Sequence, residues 1–133
     1  MKIKTSTLTG PALRYAVATA EGYSDFTPDD DGDWHTFNSR HGKFDYLNLG
    51  AITTGYYDPS IDWSQGGPII ERELINLSPP FGCEQPDAGT NSWGAYIANK
   101  VGQIGPTPLI AAMRCFVASK LGDEVDVPEE LIS

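Results

Sequence analysis

Gly105-Pro106-Thr107-Pro108-Leu109-Ile110-Ala111-Ala112-Met113-Arg114-Cys115-Phe116-Val117-Ala118-Ser119-Lys120-Leu121-Gly122 is the segment whose reading decides the fold. Thr107 is a favoured N-cap residue, and Pro108 suits the first helical position, where its absent N–H is not missed. Leu109, Ile110, Met113, Phe116, Val117 and Leu121 recur at helical spacing and predict one apolar face. Gly122 then supplies a left-handed stop. Such a helix needs a covering surface, and the remaining sequence has to provide it.

Outward from this helix, Val125-Asp126-Val127-Pro128 alternates and predicts a short final strand. Trp93-Gly94-Ala95-Tyr96-Ile97-Ala98 predicts another. Ser78–Asn91, with Pro79, Pro80, Gly82, Pro86 and Gly89, predicts a long loop. Ile69–Leu77 is the clearest strand candidate, with apolar Ile69, Ile70, Leu74, Ile75 and Leu77 around Glu71, Arg72 and Glu73; a helical turn is the competing reading. Tyr56-Tyr57-Asp58-Pro59-Ser60 is turn chemistry. Phe44–Leu49 alternates as a strand would, and the acidic stretch between Tyr23 and Asn48 predicts a solvated loop. Near the start, Thr9 and Pro11 open a helix whose face holds Leu13, Ala16, Val17 and Ala20, and Gly22 ends it. Residues 2–7 form a short edge strand whose lysines discourage further pairing. The expectation is a single α+β domain over residues 1–133: two main helices and a small sheet that includes Ile69–Leu77 and carries the Leu109/Met113/Phe116 face.

The bulk properties narrow the function. The chain has 133 residues, is 40% hydrophobic and carries a net charge of −9. That size suits one self-sufficient core. Its nine basic residues are scattered, so the clustered cation surface that nucleic-acid phosphates require is missing, and nucleic-acid binding is not expected. A single local pocket can still oppose the global field and hold a small phosphate compound. Cys83 and Cys115 are the only cysteines, and free thiols in a reducing cytoplasm are the expectation. Met1–Thr5 lacks the apolar core of a signal peptide, and no run approaches the roughly 18 apolar residues of a membrane span.

Several residue groups bear on chemistry. Trp63 and Gln65-Gly66-Gly67-Pro68 suggest a tight turn; paired glycines also let a backbone aim N–H groups at an anion, with the indole as a stacking face. The loop lacks nucleotide-loop glycine spacing. Thr107 is accounted for as a cap, yet a helix N-terminus also attracts anions. Arg114, embedded among apolar neighbours, needs a partner: a carboxylate such as Glu71 or Glu73, or a ligand phosphate. Trp93 stands beside a glycine and is a second candidate stacking face. Asp29-Asp30-Asp31-Gly32-Asp33 fails the EF-hand pattern, because Gly32 comes too early and Arg40 occupies the place of the bidentate glutamate. His35 and His41 lack the spacing and cysteines of a zinc site, though either can act as an acid or base. No catalytic or cofactor motif is present, so neither catalysis nor a cofactor or metal is expected.

Met1–Lys4 with Thr9–Leu13, Asp62–Glu73 and Gly105–Glu130 together resemble the phage P22 NinX-like family. Residues 24–48 and 78–92 look individual to this chain. The resemblance implies a non-structural accessory protein made inside an infected or lysogenic bacterium, and leaves the activity open. Such accessory proteins commonly block host functions, and a compact homo-oligomer that sequesters a nucleotide-derived immune signal is one recurring solution; here it is an analogy. The expected site is Trp63, Gln65, Gly66, Gly67, Trp93, Thr107 and Arg114, holding a small phosphate-containing ligand without consuming it. The alternatives are an inhibitor that binds a host protein through its acidic surface and a small phosphodiesterase-like hydrolase using His35, His41 or clustered carboxylates.

Overall fold

The computed structural model describes residues 1–30, 34–36, 38–39, 47–49, 57–80, 92–98 and 101–132. Three α-helices and several small antiparallel sheets form a mixed α+β fold. The elements are β1 (Lys2–Lys4), α1 (Gly10–Ala20), β2 (Tyr23–Ser24), β3 (Thr27–Pro28), β4 (Trp34–Thr36), β5 (Asn38–Ser39), β6 (Leu47–Asn48), α2 (Trp63–Glu73), β7 (Asn76–Ser78), β8 (Trp93–Ile97), β9 (Val101–Gly105), α3 (Pro108–Leu121) and β10 (Glu124–Asp126). Single 3-10 turns follow β1 and β10.

The decisive helix is α3, and it begins and ends as its sequence predicts. Thr107 Oγ1 accepts from Ile110 N at 3.1 Å, and Gly122 stops it at φ 92°. Its packing departs from the expected single face. Leu109, Ala111, Ala112, Met113, Cys115, Phe116, Val117 and Ala118 are all buried, so almost the whole circumference is covered. The alanines allow neighbouring backbones close in on sides that a one-face pattern leaves open. Strands β8 and β9 cover one side; α1, α2, the first 3-10 turn, β7 and β10 supply the rest.

Helix α1 follows its predicted span, and Gly22 beyond it takes φ 107°. Thr9 is extended at the N-cap position but makes no side-chain capping bond. Strand β1 pairs with β10 in antiparallel register, Ile3 opposite Val125. The two ends of the chain are further laced by Met1 N to Val127 O (3.1 Å), Val127 N to Met1 O (2.9 Å) and Thr5 Oγ1 to Gly122 O (2.7 Å).

Several expectations are corrected. Ile69–Leu77 is not one strand. Trp63–Glu73 is helical with Pro68 inside it, Leu74 turns the chain at φ 55°, and only Asn76–Ser78 is extended. Second, the single sheet is replaced by several, of which the largest near α3 has the order β7-β8-β9. The third is β9 itself, which sequence reasoning missed because Gly102 and Gly105 dilute its alternation. Gly105 is there for clearance: a Cβ would lie 2.7 Å from Ala111 N at the start of α3. Within the stretch expected to be a solvated loop, β2 pairs with β5, and β3, β4 and β6 form a small sheet. Leu47–Asn48 retains the strand expected at Phe44–Leu49. Most of the Ser78–Asn91 loop and Cys83 lie outside the described residues.

Phe116 is fully buried on α3, with the Arg72 guanidinium 5.5 Å from its ring centroid. Phe116→Ala is expected to cost about 3–5 kcal/mol. A thermal melt should show a drop well above 5 °C; an unchanged midpoint would contradict the packing described.

Candidate functional site

The approach to α2 is organised by a buried ion pair. Arg14, on α1, is 4% exposed, and its Nη1 donates to Asp58 Oδ2 at 3.2 Å. Sequence reasoning passed over Arg14 because it lies off the Leu13/Val17 face of α1. Asp58 then shapes the turn that follows. Its Oδ1 accepts from Ser60 N (3.1 Å) and Ser60 Oγ (2.5 Å), its carbonyl accepts from Ile61 N (3.2 Å) and Asp62 N (3.0 Å), and its own N–H donates to Gln65 Oε1. Asp62 caps α2 by accepting from Ser64 N at 2.9 Å. The chain therefore enters α2 in one fixed direction.

The expected glycine loop is thus the first half of a helix. Gly66 N donates to Asp62 O at 2.8 Å, and Gly67 lies within the helical ladder, so the expected pair of free backbone donors is absent. Gly66 has a different purpose: a Cβ there would stand 2.4 Å from Pro59 O and 2.6 Å from Leu109 Cδ2. It is the point at which α2 meets the start of α3. At Gly67 a Cβ would meet nothing within 4 Å. Trp63 is the first residue of α2 and is 54% exposed. Gln65 serves the Asp58 turn.

The other expected site residues gather around the β9–α3 junction. Trp93 is half-buried against the core and lies opposite Gly105 in the β8–β9 ladder. Thr107 is exposed and caps α3, whose first turn holds no acidic side chain. Arg114 is half-buried. Its Nε donates to Leu8 O and its Nη1 to Ile104 O, each at 2.9 Å. Burial lowers its pKa from the ordinary arginine value, yet an arginine stays charged at any physiological pH. The carboxylate partner expected for it is employed elsewhere. Glu73 pairs with Arg72 (2.8 Å) and Lys120 (3.3 Å), and Arg72 also binds Glu21. Burial alone would raise the Glu73 pKa, but its hydrogen bonds to Arg72 and Lys120 and their charges outweigh this and hold it below the usual range. Among the described residues no carboxylate forms an ion pair with Arg114.

The seven residues therefore divide: Trp63, Gln65, Gly66 and Gly67 on α2; Thr107 and Arg114 on α3, with Trp93 in β8. Gly66 against Leu109 joins the two groups. His35 lies in β4 opposite Thr27, whereas His41 and Asp31–Asp33 fall outside the described residues. Cys115 is fully buried, its Sγ 3.4 Å from Val101 O, and burial pushes the thiol up to about 11. Tyr57 is raised as well, by burial first and the Glu21 charge second. No group of His, Cys, Asp and Glu among the described residues is placed to hold a metal ion. No helix there is long and apolar enough to cross a membrane.

The family model for bacteriophage P22, NinX matches residues 4–120, from the end of β1 almost to the end of α3. The chain belongs to this family. No match is found among curated proteins.

The adjacent glycines give a sharp contrast. Gly66→Ala drives a methyl into the Pro59 carbonyl and is expected to destabilise by about 1–3 kcal/mol. Gly67→Ala occupies open space in a helix and should stabilise by about 0.5–1 kcal/mol. Denaturant midpoints of the two variants decide it, and equal shifts would refute the close approach at Gly66. The alkaline limb offers a second check. The Cys115 proton is held more tightly in the folded chain (to about 11) than in the unfolded one (9.0), so stability present below pH 9 falls as pH rises towards 11. The raised Tyr57 pKa acts in the same direction. Cys115→Ala should flatten the loss of melting temperature across that window.

Proposed function

We propose that this member of the bacteriophage P22 NinX family works by binding and not by catalysis, sequestering a small phosphate-bearing, nucleotide-derived ligand at the β9–α3 junction. The observation that carries the reading is Arg114. Two of its donors hold main-chain carbonyls, which fix the guanidinium in place, and no carboxylate among the described residues neutralises it. In a chain of net charge −9, a half-buried arginine without a counter-ion is an exception that an anionic ligand would resolve. The remaining N–H groups of the fork suit two phosphate oxygens.

The surroundings support this assignment. Thr107 opens α3 without an acidic residue in its first turn, so the partial positive charge of the helix end is unopposed from within that turn. Trp93 is only partly buried, and base–aromatic stacking contributes about 1–3 kcal/mol per base. Gly66 and Gly67 are left out, because their N–H groups belong to α2. Held intact, a nucleotide signal would be withdrawn from the infected cell's defence, which is the counter-defence role proposed here.

The test uses AMP, ATP, ADP-ribose and cyclic di-AMP as probes, each titrated against purified protein in a thermal-shift assay. Binding of one of them to the native state should raise the melting temperature with concentration. Arg114→Ala should weaken that binding by about 1.5–3 kcal/mol, judged against the variant's own unliganded midpoint. Chromatography after denaturation should return the nucleotide unchanged. A cleaved product would replace sequestration by hydrolysis, and an undiminished shift in Arg114→Ala would remove Arg114 from the site.

A further inference from the structure

Helix α2 presents a second surface, unrelated to the β9–α3 junction. Trp63, Gly67 and Glu71 follow one another at i, i+4 and i+8, so they share one face, and Leu74 closes the end of the helix in a left-handed conformation. Trp63 is 54% and Leu74 78% exposed, with Ile61 at 71% just ahead of the helix. Between Trp63 and Leu74, which are about 16 Å apart along the axis, the open space over Gly67 makes a dip. An exposed indole on the helix, with an exposed aliphatic side chain just beyond each of its ends, is an unusual display for a helix that otherwise buries Ile69.

Two acceptors lie on the same side. Glu71 is exposed and has no cationic partner among the described residues, whereas Arg72, on the far side of the helix, is neutralised by Glu21 and Glu73. Pro68 cannot donate the hydrogen bond that the Ser64 carbonyl would receive in a regular helix, and both residues are exposed. An unpaired carboxylate and a main-chain carbonyl without its helical donor thus flank an apolar ridge. The Arg14–Asp58 turn fixes how this ridge is offered, so little ordering is needed on binding.

We propose that this face docks a basic amphipathic helical segment of another protein. Apolar side chains of that segment would seat on Trp63 and Leu74 across the Gly67 dip, and its Lys or Arg residues would meet Glu71 and the Ser64 carbonyl. The charge argues for this occupant over a second copy of the chain: two copies at −9 each repel, while a basic segment is attracted by the same field. The face is small, so the contact is a transient one with micromolar affinity, and tryptophan is the residue type that most often dominates such contacts.

The experiment uses a fluorescein-labelled 18-residue helical peptide of leucine and lysine, with a leucine and glutamate peptide of the same pattern as control. Anisotropy titrations of the intact protein should show the lysine peptide binding at least tenfold more tightly than the control. Trp63→Ala and Glu71→Lys should each weaken it about tenfold or more. Glu130→Lys, an equal charge change in the second 3-10 turn, should change it less than twofold, and so should Arg114→Ala. All four positions are partly or fully exposed, and melting curves establish that each variant is folded. Equal losses in Glu71→Lys and Glu130→Lys would mean attraction by net charge alone and overturn the site. Undiminished binding by Trp63→Ala would do the same. A dimer of the free protein that Trp63→Ala dissolves in sedimentation would make a second copy the occupant and overturn the proposed partner.

Discussion

A helix that is apolar around nearly its whole circumference must be covered from every side, and α3 imposes that condition on the rest of the chain. The strands β8 and β9, helices α1 and α2 and both chain ends are arranged as its cover. Small residues set how close the cover comes. Ala111, Ala112 and Ala118 keep the helix narrow, and Gly105 and Gly66 remove the methyl groups that would collide with its first turns. Close approach is also what brings chemistry to the start of α3. Because β9 runs against the helix, the Ile104 carbonyl lies within reach of Arg114, and Trp93 faces Gly105 one strand further out. The candidate ligand site is a by-product of how the core is sheathed.

The Arg14–Asp58 pair has a different role. A buried ion pair adds little net stability, since the cost of stripping water from both charges offsets much of their attraction. What it contributes is direction. Asp58 binds Arg14 through one carboxylate oxygen and Ser60 through the other, and its main chain engages Ile61, Asp62 and Gln65. Five residues of irregular backbone are thereby fixed between α1 and α2. Without the arginine the carboxylate would be left buried and unpaired, and without the carboxylate the turn would lose its centre. The outward presentation of Ile61 and Trp63 follows from this interior contact.

The sequence made α1, α3 and the two terminal strands legible because their signals are local: a cap, a proline at the first position, a glycine at the stop, an alternating pair of short ends. Helix α2 was hidden for the opposite reason. Gly66-Gly67-Pro68 is turn punctuation by intrinsic preference, and it is helical here because Asp62 caps it, Gln65 is anchored to Asp58, and Gly66 is the one residue that fits between Pro59 and Leu109. That is tertiary context overriding propensity. At the site the same division holds. Thr107 was legible as a cap, since its partner is three residues away. The partners of Arg114 were not, because Leu8 lies 106 residues distant and offers a main-chain carbonyl, which carries no mark in the residue alphabet. Glu73 was a reasonable guess for a partner, but it faces Arg72 and Lys120.

Two charges stand out by their surroundings. Arg72 has Glu21 and Glu73 bound and Phe116 under its guanidinium, and that completeness is why it reads as packing. Arg114 and Glu71 are the reverse case, one cation and one anion, each without a counter-ion among the described residues. They do not neutralise each other. Arg114 is tied to Leu8 and Ile104, and Glu71 projects from the α2 face that carries Trp63, so each leaves an unmatched field of opposite sign on its own surface. For a chain with twice as many acids as bases, an unpaired glutamate alone would be unremarked. It gains meaning from the exposed indole and leucine beside it, as the arginine does from its burial. The two proposed sites call for opposite chemistry, a phosphate at one and a basic helix at the other, and Arg114 and Glu71 each supply the charge that such an occupant would need.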